Sequence, residues 1–190
     1  METANFKLPR VGFKSRKAAQ IAAYFAAQSS GRSVEKLKLI KLIYLAEREH
    51  LARHGRPMIY DELFGMKDGP ICSSALNGIN DSPTDTIWGS FISKQGNDVS
   101  PKMNFSRDHL DELSDAEISV LLKIWNSFGH MTASQIRNYA HRNCPEYVEV
   151  DKGRRPISYK TLLSAVGRDD AEDASDSIES YRRVQALLTM

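Results

Sequence analysis

The chain has 190 residues, 41% hydrophobic and 26% charged, with Lys plus Arg at 26 against Asp plus Glu at 24. That length suits one domain with its own core, and the composition excludes wholesale disorder. A formal net charge of +2 argues against a large phosphate-neutralising surface, two cysteines make no disulfide framework, and no apolar run reaches the roughly 18 residues that span a bilayer.

Residues 1–14 carry Lys7, Arg10 and Lys14 with Pro9 and Gly12 and show no lasting periodicity. They read as a basic arm ahead of a single domain, 15–190. They lack the apolar stretch of a secretory signal, which points to a cytoplasmic protein. The arm cations, with Arg16 and Lys17, are expected to stay solvated or to pair with the acidic run Asp169–Asp176. From Ser15 to Ser30, Ala18, Ile21, Ala22, Phe25 and Ala26 recur at helical spacing, and Gly31 reads as the stop.

Ser33 is placed to cap a second helix running to about His54, with Gly55 as its C-terminal glycine. Leu39, Ile40, Leu42, Ile43, Tyr44, Leu45 and Ala46 cover well over half its circumference, too wide a face for a surface helix. The pattern predicts a buried central helix over about 33–54, packed on more than one side. Next, Met58-Ile59-Tyr60 reads as a short strand, Asp68-Gly69-Pro70 as a turn and Ser73–Ile79 as a short helix. Ile87-Trp88, Phe91-Ile92 and Val99–Phe105 flank Gly96-Asn97, which predicts a small antiparallel β hairpin in the middle of the chain.

Four helices follow. Ser114 with Glu117 and Thr132 with Gln135 form capping boxes, opening helices that end at Gly129 and at about Arg142. Ser158–Val166 and Ala171–Leu188 are the last two. The fold class is mainly α, with a minor β element.

Catalytic signatures are missing. Gly65-Met66-Lys67-Asp68-Gly69 has a proline where a phosphate loop needs Lys-Ser/Thr, and neither Gly-x-Ser-x-Gly nor Gly-x-Gly-x-x-Gly occurs. His50 and His54 stand four apart, but the reading favoured is helix-end histidines without a metal. Cys72 and Cys144 read as small buried hydrophobes. The chain is expected to be no enzyme and to need no cofactor or metal. Residues 115–142 have the outline of a helix-turn-helix, with Gln135, Arg137, Asn138 and Arg142 able to reach phosphates or base edges. A DNA-binding regulator is therefore the alternative reading.

The run Lys38-Leu39-Ile40-Lys41-Leu42-Ile43-Tyr44-Leu45-Ala46, then Gly55, Arg56-Pro57, Met66-Lys67 and Gly69-Pro70, resembles the Panacea domain, the family of the SocA-like, phage-associated antitoxins. Trp125, Gly129, Thr132-Ala133, Ala140-His141 and Pro145 resemble its second half, so the likeness covers about residues 15 to 150. Ile40 and Asp68 depart from the residues usual in the family. The resemblance implies an antitoxin that binds a cognate protein toxin directly, with delivery to a ClpXP-type protease as a further role in one branch. Lysine is rarely buried unpaired, so Lys36, Lys38 and Lys41 are expected to emerge at one flank of the central helix. There they would line a groove with Lys67 and Asp68, with Tyr60 and Phe64 as aromatic anchors. Lys38, Lys41, Tyr60, Phe64, Lys67 and Asp68 are thus the expected partner-binding residues.

Overall fold

The computed structural model describes residues 12–102 and 107–188. Lys7 and Arg10 of the expected arm, and Phe105 of the expected hairpin, lie outside the described residues. The described chain is mainly helical, with two small three-stranded antiparallel sheets.

Helix α1 spans Ser15–Gln28, and ten consecutive residues, Lys17 to Ala26, are buried. Its alanines let neighbours approach on every side, so the stripe read from the sequence is one part of an enclosed helix. Gly31 is not its left-handed stop: Arg32, at φ 48°, takes the positive-φ position instead. Of the cations that open this helix, Arg16 stays exposed as expected and Lys17 does not, and both pair with acidic groups other than Asp169–Asp176. Lys17 donates to Glu117 at 2.8 Å in a nearly buried pair, and Arg16 donates to Asp111 at 3.1 Å.

Strand β1 (Val34–Glu35) precedes helix α2 (Lys36–His54), which begins without a side-chain cap. Ser33 therefore does not cap the helix. Its hydroxyl donates to the Val99 carbonyl, because residues 34 and 35 pair with Val99 and Asp98 further along the chain. Every residue from Leu39 to Ala46 is buried, as are Glu47, His50 and Leu51. Gly55 closes the helix in the left-handed conformation at φ 65° and donates to the Leu51 carbonyl, the C-terminal geometry that glycine adopts at least cost. The central helix is as expected.

Met58-Ile59-Tyr60 is not a strand. The N–H groups of Met58 and Ile59 donate to the two carboxylate oxygens of Glu47 at 2.9 and 3.1 Å, so no ladder partner can use them, and Tyr60 stands at φ 53°. The strand comes later. Strands β2 (Leu63–Met66) and β3 (Gly69–Cys72) form a hairpin over Lys67-Asp68, and β6 (Arg154–Ile157) completes the sheet in the order β3-β2-β6. Helix α3 (Ser73–Asp81) follows directly; the buried Asp61 carboxylate accepts from the Ser74 and Ala75 N–H groups of its first turn.

The segment read as the first arm of the middle hairpin is partly helical. Asp85 accepts from the Ile87 and Trp88 N–H groups and starts the turn α4 (Trp88–Phe91), whose buried indole donates to Ser15 at 3.0 Å. The hairpin itself is β4 (Ile92–Gln95) with β5 (Asp98–Pro101), turning at Gly96, and β1 extends it to the order β1-β5-β4.

Both capping boxes are formed as expected, opening α5 (Asp115–Phe128) and α6 (Ala133–Asn143). Helix α7 (Tyr159–Ala165) is capped by Ser158, and α8 (Ala171–Leu188) packs on it. Helix α2 touches α1, α3, α5, α6, α7 and strands β1, β3 and β5. It is the hub of the core. Cys72 and Cys144 are free and buried, and burial pushes the Cys144 thiol up to about 12, which removes its nucleophilic form at neutral pH.

Candidate partner-binding site

A cavity of about 490 Å³ opens between the first turns of α2, the β2–β3 turn and the segment 151–153. Its apolar wall is Leu37 and Ile40 from α2, Met66 and Ile71 from the hairpin and Leu76 from α3. Charged groups surround it: Lys36, Lys67 and Lys152 against Glu35, Asp68 and Asp151. A mostly apolar hollow with a few convergent polar groups is the usual form of a binding site.

Each expected site residue has a definite place. Lys41, Lys67 and Asp68 come together on the cavity, as the groove reading expected. Lys38 does not face it. Its ammonium donates to the Gly129 carbonyl at 2.6 Å and lies over the Trp125 ring, so it closes the α2–α5 contact. Tyr60 is elsewhere, with its ring 4.1 Å from that of Tyr181 and the Lys14 ammonium above it. Phe64 lies under the Arg154 guanidinium and lines a separate cleft with Pro156 and Arg182. Neither aromatic anchors the cavity.

Lys41 is also corrected in its exposure. It does not emerge at a flank: the side chain is fully buried, and Nζ donates to the Pro70 carbonyl at 2.8 Å. Burial lowers its pKa to about 8, partly opposed by the charge of Asp68. Lysine tolerates this because its four-carbon stem packs along the apolar core while one carbonyl meets the ammonium. Gly69, at φ 95°, makes the approach possible. A Cβ there would stand 3.1 Å from Lys41 Nζ and 3.0 Å from His141 Cδ2. Asp68, on the turn, lies 3.7 Å from Arg137 of α6.

The hairpin is braced from behind. Tyr147 donates to the Met66 carbonyl at 2.8 Å, and its ring packs on His141. His50 Nδ1 stands 2.7 Å from the Arg56 carbonyl, and among the described residues no group of three or more His, Cys, Asp or Glu is arranged to hold a metal.

A family model described as "Antitoxin SocA-like, Panacea domain" matches residues 39–146, more than half of the chain. The chain belongs to the SocA-like Panacea family. No curated protein and no solved structure matches it. Within the Panacea segment lie Ile40, Lys41, the turn Met66–Gly69, Ile71 and Leu76. Lys36, Leu37 and residues 151–153, which complete the cavity, lie outside it. Sequence reasoning missed Ile71, Leu76 and Asp151–Gly153. Ile71 directly follows the Gly-Pro pair and was within reach; nothing in the sequence near 151–153 signals that the chain returns to α2. No helix is long and apolar enough to cross a membrane among the described residues.

Proposed function

We propose that this Panacea chain is an antitoxin that neutralises a cognate protein toxin by direct binding at the cavity between α2 and the β2–β3 turn, without catalysis or cofactor of its own. One observation carries the reading. The family segment supplies most of a concave apolar wall, Ile40, Met66, Ile71 and Leu76, with Lys41, Lys67 and Asp68 beside it, and Glu35, Lys36, Leu37 and residues 151–153 from outside that segment complete the hollow and its charged rim. Interfaces place their energy in such a desolvated centre and leave the charged rim to steer and select.

Co-expression with the product of the neighbouring open reading frame tests it. That product is expected to arrest growth alone, to lose toxicity when this chain is present, and to co-elute with it at fixed stoichiometry. A neighbour harmless by itself, or still toxic with this chain in excess, overturns the reading. The adaptor role uses the same partner and adds one expectation: in a purified system, a ClpXP-type protease degrades the toxin only when this chain is supplied. No specific observation favours operator binding. Ile136 and Ala140 of α6 are buried, and Arg137 is held by Asn138 and Asp68.

A further inference from the structure

The buried ammonium of Lys41 is an unusual wall for an apolar cavity. Among the described residues its only hydrogen-bond partner is the neutral Pro70 carbonyl, and no carboxylate stands within ion-pair distance. An ammonium can donate three hydrogen bonds, and a buried charge is costly until an opposite charge meets it. A second, independent feature points the same way. Glu35 leaves the α2 N-terminus without a side-chain cap, and Glu35, Lys36 and Leu37 line the same hollow, so the positive end of a 19-residue helix borders it. At the rim Lys36, Lys67 and Lys152 stand against Glu35, Asp68 and Asp151 and balance them, which leaves the Lys41 ammonium in the wall with no carboxylate within ion-pair distance.

We infer that the cavity receives an acidic, apolar segment of the bound toxin, whose aliphatic part fills the space between Ile40, Ile71 and Leu76 and whose carboxylate pairs with Lys41. This rests on the neutraliser reading and specifies its chemistry. The ammonium reaches the incoming carboxylate by rotating about its flexible stem, away from the Pro70 carbonyl. The apolar wall of Leu37, Ile40, Met66, Ile71 and Leu76 suits an aliphatic chain that ends in one carboxylate. Burial has already lowered the Lys41 pKa, and a carboxylate against it restores the charged form.

The test uses the full chain, the purified neighbouring gene product and hexanoate as a small probe of the same chemistry. Lys41→Met keeps the stem and removes the charge. It is expected to melt no lower than the wild type and to bind the partner at least tenfold more weakly. On the wild type, hexanoate is expected to shift the methyl resonances of Ile40, Ile71 and Leu76 and to compete with the partner at millimolar concentration, whereas hexanol does neither. A Lys41→Met protein that binds the partner as tightly as wild type overturns the inference and leaves the neutraliser reading intact. So does hexanol competing as well as hexanoate, or hexanoate occupying the cavity without displacing the partner. If Lys41→Met fails to fold, the hexanoate and hexanol comparison on the wild type decides. A partner that does not bind the wild type at all overturns the neutraliser reading, and this inference with it.

Discussion

Tyr44 of α2 donates its hydroxyl hydrogen bond to Glu146 Oε1 at 2.8 Å, joining the centre of the core to the segment after α6 across 102 residues of sequence. Arg48, one turn further along α2, donates to the same oxygen at 2.8 Å. The next residue, Tyr147, holds the Met66 carbonyl. One buried carboxylate thereby links the hub helix to the hairpin that walls the cavity.

Removing that carboxylate strands two donors. Glu146→Ala is expected to lower unfolding free energy by about 3 kcal/mol, the usual cost of breaking a buried pair from one side. Tyr44→Phe leaves Arg48 in place and should cost about 1 kcal/mol. Urea denaturation of both variants checks the ranking; equal losses would show that the arginine contributes nothing.

Truncation inside α2 separates packing from charge. Ile43→Ala should cost about 2–5 kcal/mol, since the site is fully enclosed. A lysine that emerged at the flank of α2, as the sequence alone suggests, could be cut to alanine with little effect on folding. The buried stem reverses that expectation: Lys41→Ala opens a hole in the core and should also lower stability, whereas Lys41→Met, which fills it, should not. Guanidinium denaturation of the three variants at neutral pH makes the comparison.

Glu47 gives a pH dependence with a defined sign. Burial raises its carboxyl from 4.5 to about 7, despite the two backbone N–H groups that it accepts. Between those values the folded state keeps a proton that the unfolded chain has released. Its contribution to stability therefore falls as pH rises from 4.5 to 7 and is level above that. Glu47→Gln does not titrate there. Its stability relative to wild type should rise across the window by roughly 3 kcal/mol. Asp61, also raised by burial, is one of the charges that raise Glu47, so the difference curve reports the two carboxyls as a coupled pair. Thermal melts of the pair from pH 4.5 to 8 provide the curve; a flat difference contradicts the assignment.

Gly69→Ala tests the turn. The positive φ disfavours any side chain, and the new methyl would press on Lys41 Nζ and the His141 ring. A loss of about 1–3 kcal/mol is expected, with partner binding weakened as Lys41 is pushed from the cavity wall. Gly96, on the β4–β5 turn of the other sheet, also has a positive φ but open space at its Cβ position, so Gly96→Ala is the control for φ alone.

Much of the helical frame was legible in the sequence because its signals are local. The capping boxes at Ser114 and Thr132, the stop at Gly55 and the all-round apolar run of α2 each depend on residues within a turn or two. The misread elements depend on distant partners. Met58 and Ile59 look like a strand until the Glu47 carboxylate takes their N–H groups, and Ser33 looks like a cap until Val99 pairs the next residue. The site divides in the same way. Lys41, Lys67 and Asp68 meet because α2 and the β2–β3 turn do, whereas Lys38, Tyr60 and Phe64 were drawn off by Gly129, Tyr181 and Arg154.

The sequence by itself determined that this is a helical Panacea protein built round α2, since apolar periodicity, caps and ordered motifs are written along the chain. Only the tertiary structure decided which way the lysines of that helix turn. Charge alone sends an ammonium to water; the Pro70 carbonyl, delivered by the start of β3 29 residues away, is what keeps Lys41 inside, at the edge of a hollow.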